Sequence, residues 1–185
     1  MMEQFANLRD GGVQLATQLC ASPDWSAFKF DPAEVITLAP IMPNGVPVVL
    51  GMIDYLRTRP FPRIQVEPLE VERSSDGVTI SAVPQVQQAV IVVDDGVETG
   101  TAALAAGREL RANAGSSAGE ARPWVILAVP VCPHQAMPDL SRVFDAVFAV
   151  HRPMARRSLN WHYRDLDLVT DSQARDLLRG YRRPQ

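Results

Sequence analysis

Cysteine is scarce in this chain: two residues, Cys20 and Cys132, in a length of 185. Neither shows metal-ligand spacing, and two thiols cannot build a disulfide framework. They are expected as small buried hydrophobes in a reducing compartment. Long apolar runs are missing as well, none reaching the roughly 20 residues a membrane span needs. The opening MMEQFANLRD lacks the basic-then-apolar pattern of a signal peptide. The expectation is a cytoplasmic protein with no membrane partner. Nor is there an excess of positive charge. Lys and Arg number 18 against 21 Asp and Glu, a formal net charge of −3, which argues against a general nucleic-acid binder. Arginines gather toward the C-terminus, but Asp165, Asp167, Asp171 and Asp176 are interleaved with them, as on solvated faces. The histidines, His134, His151 and His162, have no metal spacing and form no recognisable nucleophile–base arrangement. His134 reads as an exposed loop residue.

What is present suits one globular domain, with 46% hydrophobic and 21% charged residues. Residues 3–20 carry an approximate helical apolar face, weakened at Gly11-Gly12 by roughly 1 kcal/mol per glycine. A β-branched run at 35–39 is followed by a loop with three prolines, Pro40, Pro43 and Pro47, and then a helix over 46–57. Strands are expected at 64–66, 78–80, 90–93, 124–131 and 146–150, and a helix at 102–113. Ser74-Ser75-Asp76-Gly77 and 115–119 read as loops. Thr170-Asp171 reads as the N-cap of a last helix ending near Arg179. Strand and helix alternating in this rhythm predict a mostly parallel α/β sheet with right-handed crossovers. Ligands of such sheets bind beyond the carboxyl ends of strands, near the switch point.

One stretch sits at such a strand end: Ala89 to Ala102, reading AVIVVDDGVETGTA. The adjacent carboxylates of Asp94 and Asp95 can accept hydrogen bonds from two vicinal hydroxyls, as on a ribose ring. Gly96 and Gly100 let the backbone turn tightly. The helix beginning near Thr101 offers free N–H groups and a positive dipole end to a phosphate, and Thr99 and Thr101 add hydroxyls. The pattern reads as a sugar-phosphate cradle. An Asx-capped turn, or the acidic end of an unrelated α/β sheet, is the plainer alternative.

The stretch resembles the phosphoribosyl pyrophosphate (PRPP) motif of type I phosphoribosyltransferases: apolar strand, two acids, three variable positions, Thr-Gly, then a hydroxyl residue. More narrowly, the chain resembles a group of predicted bacterial phosphoribosyltransferases, and the likeness reaches both ends. Phe5-Ala6-Asn7-Leu8-Arg9-Asp10-Gly11-Gly12 looks like that group's opening helix, and Asn44-Gly45-Val46-Pro47 like its pyrophosphate loop. Val129-Pro130-Val131-Cys132-Pro133 looks like its later strand end. Asn160-Trp161-His162-Tyr163-Arg164-Asp165, with Thr170-Asp171, looks like its C-terminal stretch.

The resemblance implies a type I phosphoribosyltransferase-like (Rossmann-like) domain over residues 1–185. Residues about 60–85 would form a small hood or flexible loop, and about 152–185 a C-terminal segment packed on the core. It implies that Asp94 and Asp95 bind the ribose hydroxyls and that Gly96, Val97, Glu98, Thr99, Gly100 and Thr101 hold the 5-phosphate. Pro43, Asn44 and Gly45 would face the pyrophosphate, and Arg73 would reach in from the hood. Mg²⁺ would bridge pyrophosphate and ribose oxygens without a dedicated protein ligand, near Asp94 and Asp95. Ribose 5-phosphate would pass to an acceptor, expected to be a nitrogenous base, with Glu98 as a base or acceptor contact. The resemblance also implies a homodimer, with the apolar helix at 46–56 as its contact.

Three positions depart from the pattern. Ala102 stands where relatives carry a hydroxyl, with Thr101 one place early. Asn44 stands in place of an arginine. Glu67-Pro68, then Glu70 and Glu72, precede Arg73 where relatives place Arg-Lys. The ribose end is intact and the anion-binding ends are weakened, so a non-catalytic PRPP- or nucleotide-binding module of the same fold is the alternative. Trp161 and Tyr163 are expected to pack the C-terminal segment onto the core.

Overall fold

The computed structural model describes residues 4–31, 33–74, 77–84, 88–113 and 122–181, without the side chains of Arg73 and Ser74. The start of the first expected helix at Glu3, the Ser75-Asp76 turn and the 115–119 loop lie outside those residues.

The strands form because short β-branched and apolar runs alternate with helix-forming segments. Five of them, β1 (Val35–Pro40), β2 (Arg63–Val66), β5 (Ala89–Val93), β6 (Trp124–Val131) and β7 (Ala146–His151), make one sheet. Its order is β2-β1-β5-β6-β7, and every neighbouring pair is parallel. The remaining two, β3 (Glu70–Ser74) and β4 (Gly77–Ala82), pair antiparallel as a separate hairpin. The fold is the expected α/β one, with a central parallel sheet flanked by helices. Among the described residues, no helix is long and apolar enough to cross a membrane.

Both sheet faces are covered, which is why β5 is apolar at every position. Ala89, Ile91 and Val93 point to one face, with α1 (Leu8–Ala21), α3 (Gly45–Leu56) and α6 (Asp171–Leu178). Val90 and Val92 point to the other, with α4 (Thr101–Asn113) and the short α5 (Met137–Leu140). Val71, Val78 and Ile80 of the hairpin pack against this second cluster. Among the described residues, aromatic side chains concentrate near the amino-terminal ends of β2 and β6. There Trp25 of α2 (Pro23–Ala27) stacks on Phe61 at 5.3 Å, and Phe28 meets Trp124 edge-on at 4.9 Å.

The boundaries differ from expectation for local reasons. The first helix starts at Leu8, because the Asn7 side chain caps it by accepting the Asp10 N–H at 2.9 Å. Phe5 is instead drawn into a bridge with Tyr163. Gly11-Gly12 reads as a helix weakness but serves helix packing. A methyl on Gly12 would stand 2.0 Å from the Val48 carbonyl oxygen, and one on Gly51 1.9 Å from that of Arg9. The two glycines let α1 and α3 cross backbone to backbone. Helix α3 is buried nearly all round, with Leu50 and Ile53 each 3% exposed. That overturns its reading as a homodimer contact: α1, β1, β5 and α6 already cover it within one chain. Strand β3 was not expected, although Glu70-Val71-Glu72 alternates with period two ahead of the Asp76-Gly77 turn signal. Thr170 does cap α6, in a reciprocal capping box with Gln173.

Gly51→Ala is predicted to lower the melting temperature by about 5 °C or more, from overpacking of roughly 2 kcal/mol or above. Gly180→Ala, whose added methyl would meet nothing within 4 Å, should leave it within about 2 °C. Thermal unfolding followed by circular dichroism checks the pair.

Candidate functional site

The strand order reverses between β1 and β5, so β1 sends its following helix to one face and β5 to the other. The loops leaving their carboxyl ends part there and open a crevice. In it lies a cleft of about 370 Å³, within the range of small-ligand sites. The whole run Asp94 to Ala103 lines it, together with Asn44 from the β1 side. The third wall is Ser158, Leu159, Asn160, Leu166 and Leu168 of the C-terminal segment.

Of the residues expected to act together, the structure gathers Asp94, Asp95, Gly96, Val97, Glu98, Thr99, Gly100, Thr101 and Asn44 on this one cleft. Pro43 and Gly45 do not line it. Gly45 is buried and gives its N–H to the Ile41 carbonyl at 2.9 Å. Arg73 sits on β3, and its side chain lies outside what is described.

Glycine is required at two turns of the motif. Gly96 has φ +155°, and a methyl there would stand 2.5 Å from Leu159 Cδ2; Gly100 has φ +83°. Helix α4 follows at Thr101. Its first internal hydrogen bond runs from the Leu104 N–H to the Gly100 carbonyl at 2.8 Å, so the amides of Ala102 and Ala103 precede that ladder. The Val97 N–H is committed to the Val131 carbonyl at 2.8 Å. The hydroxyls of Thr99 and Thr101 lie 3.0 Å apart. Both residues are exposed and line the cleft, so Thr101 brings a hydroxyl to the helix start despite Ala102.

The C-terminal segment is strapped over this motif by three hydrogen bonds. Glu98 Oε1 accepts the Leu159 N–H at 3.0 Å. The Tyr163 hydroxyl donates to the Asp95 carbonyl. Asn44 Oδ1 accepts the Val169 N–H at 3.1 Å, and the side chain lies near enough to the Asp95 carboxyl to favour its charged form slightly. Asn44, expected to face pyrophosphate, is thus tied to the strap. Tyr163 is buried, and burial followed by the charges of Asp95 and Asp94 raises its pKa. Trp161 does not pack on the core as expected. It is 63% exposed, with the Arg157 guanidinium 5.8 Å from its ring centre. The strap was the part that sequence reasoning missed as a wall of the site. Its signal was the 160–165 stretch, read as packing alone.

Electrostatics sharpen the picture. Asp94, Asp95 and Glu98 all line the cleft, and among the described residues no lysine or arginine does. Burial pushes the Asp95 carboxyl up to about 6, the Glu98 charge adding to it. Interactions with the Asp94 carboxyl, its own amide and Asn44 pull it partly back. The Asp95 N–H donates to Asp94 Oδ1 at 2.9 Å. The acids that precede Arg73 are in part engaged elsewhere. Glu70 pairs with Arg175 at 2.8 Å, and Glu67 accepts from Gln65 at 2.8 Å. Away from the cleft, His134 is exposed, as expected, and burial pushes the Cys132 thiol up to about 11. His162 is 1% exposed with neither ring nitrogen hydrogen-bonded, and burial, then His151 and Arg157, lower its pKa.

No family model matches the chain, and no curated protein matches it. Solved structures do. A protein of Thermus thermophilus, TT1426, superposes with a TM-score of 0.71 over 97% of this chain and 99% of its own, at 17% identity. The hypoxanthine-guanine phosphoribosyl transferase of L. donovani gives 0.51 over 77% and 78%, at 13% identity. The fold is that of the type I phosphoribosyltransferases. A Neisseria gonorrhoeae protein solved with bound ppGpp shares it, with 0.51 over 97% and 98%, at 14% identity.

Because the Asp95 pKa rises on folding, the folded chain binds that proton more tightly than the unfolded chain. Stability therefore falls as pH climbs from about 4 to about 6, and the penalty persists at neutral pH. Asp95→Asn is predicted to raise the melting temperature at pH 7.5 by about 5 °C and to lose that advantage near pH 4. Melting curves across pH check it; a lower melting temperature at every pH contradicts it.

Proposed function

We propose that this protein is a phosphoribosyltransferase that uses Mg-PRPP and transfers ribose 5-phosphate to a nitrogenous acceptor, releasing pyrophosphate. The observation that carries the reading is the cleft itself, where vicinal carboxylates and the start of α4 face one space at the switch point. In this reading Asp94 and Asp95 accept hydrogen bonds from the two ribose hydroxyls. The amides at the start of α4, with the Thr99 and Thr101 hydroxyls, hold the 5-phosphate. The ribosyl carbon gains positive charge as its bond to pyrophosphate breaks, and the acceptor nitrogen forms the new bond. An acidic wall stabilises that charge, and the chain otherwise contributes position. The expected hood corresponds in this reading to the β3–β4 hairpin.

The residues fit a divalent ion held mainly by its ligand. Among the described residues no group of three His, Cys, Asp or Glu side chains could hold a metal unaided. The hard oxygens of Asp94 and Asp95 suit Mg²⁺, which keeps waters and substrate oxygens around it. With no basic side chain on the cleft among the described residues, bound Mg²⁺ would supply the positive charge that pyrophosphate needs.

A second reading is favoured by Asn44. Its side-chain oxygen is already taken by the strap, and among the described residues no basic side chain lines the cleft to anchor pyrophosphate in its place. A module of this fold that holds PRPP or a nucleotide without turnover accounts for that, and the gonococcal protein of the same fold was solved with ppGpp.

Isothermal titration with PRPP and Mg²⁺ should give binding that chelation abolishes. Asp94→Asn/Asp95→Asn should weaken it by about 100-fold or more, from the loss of two charge-assisted contacts. Pyrophosphate release with a nucleobase separates the two readings, since the transferase releases it and the module does not. Failure of PRPP to bind the wild type refutes both.

A further inference from the structure

A second cavity of about 250 Å³ shares no residue with the cleft. It lies where the carboxyl end of α3 meets the start of β2, lined by Ile53, Leu56, Phe61, Ile64 and Val66, with Tyr181 after α6. Helix α3 runs from the cleft to this cavity, and its twelve residues span about 18 Å. Arg57, Arg59 and Arg63 line it as well, and among the described residues no carboxylate does.

Two plainer roles are open to these arginines. Arginines after a helix can offset its negative end, and arginine on an outer strand discourages edge pairing. Neither explains where these side chains go. The Arg57 guanidinium lies over the Tyr181 ring at 5.0 Å, and that of Arg59 over the Tyr55 ring at 4.2 Å. Neither guanidinium hydrogen-bonds any described protein group, and the nearby Asp54 is taken by Arg9 at 2.6 Å. A guanidinium held against a ring face by cation–π attraction still has N–H donors to offer a planar anion.

We propose that this cavity binds a small organic anion: one ring-sized apolar body on the Ile53, Leu56 and Phe61 floor, with a phosphate or carboxylate between Arg57 and Arg59. The assignment is independent of the chemistry at the cleft. Bidentate arginine contacts supply the anion's orientation, and the floor distinguishes a ring-bearing anion from a bare one.

Phenyl phosphate is a suitable probe, because it has a ring and a phosphate but no vicinal hydroxyls for Asp94 and Asp95. Titration into the full chain, followed by calorimetry, should show saturable binding at least tenfold tighter than that of inorganic phosphate. Arg57→Gln/Arg59→Gln should weaken it tenfold or more, and Asp94→Asn/Asp95→Asn should leave it within twofold. Both arginines are exposed, so the variant should fold, which its melting curve verifies. Arg57→Lys should give an intermediate loss, since it keeps the charge without the planar fork. The proposal is overturned by absence of binding at millimolar probe, by affinity no better than inorganic phosphate, or by sensitivity to the aspartate variant alone.

Discussion

The connections leaving β1 and β5 go to opposite faces of the sheet, and the site exists because of that division. Where two neighbouring strand ends send their loops apart, no helix can fill the gap between them. Asp94 and Asp95 end β5 at that gap, and Asn44 closes the β1 side of it. At the other end of the sheet, stacked and edge-on aromatic rings around Trp25, Phe61 and Trp124 close off the core. Stability and ligand chemistry are thus placed at different ends of the strands.

The strap is what turns a crevice into a cleft. It takes hold of three residues of the opposite walls, Glu98, Asp95 and Asn44, and leaves Asp95 only partly open to water. A half-buried carboxyl crowded by the Glu98 charge is a cost to the folded chain, of the kind functional sites accumulate. That same arrangement gives the cleft its character, with three acids and, among the described residues, no basic side chain. Anything anionic that binds must bring a cation or settle on backbone amides.

The amino-acid order made the sheet legible because its apolar runs are short and bounded by prolines and glycines. The diacid, the glycine turns and the helix start were legible because one ligand class needs all of them within eight residues. Long-range consequences were not. That Leu159 would press on Gly96, that Tyr163 would bond the Asp95 carbonyl, and that Asn44 would serve the strap depend on a segment distant in the chain. Gly12 and Gly51 teach the same lesson in the core, where a local weakness is the condition for a helix crossing. Trp161 shows the reverse, a large aromatic left in solvent although its size suggested burial.

The central claim is that the twin acids and the first turn of α4 grip one phosphorylated pentose between them. A crystal structure of the protein with ribose 5-phosphate tests it most directly. The sugar's 2′ and 3′ hydroxyls should lie within hydrogen-bonding distance of the Asp94 and Asp95 carboxylates, with the phosphate on the amides and hydroxyls of residues 98–103. A sugar phosphate found outside this cleft, or seated in it with its hydroxyls turned away from both acids, contradicts the account.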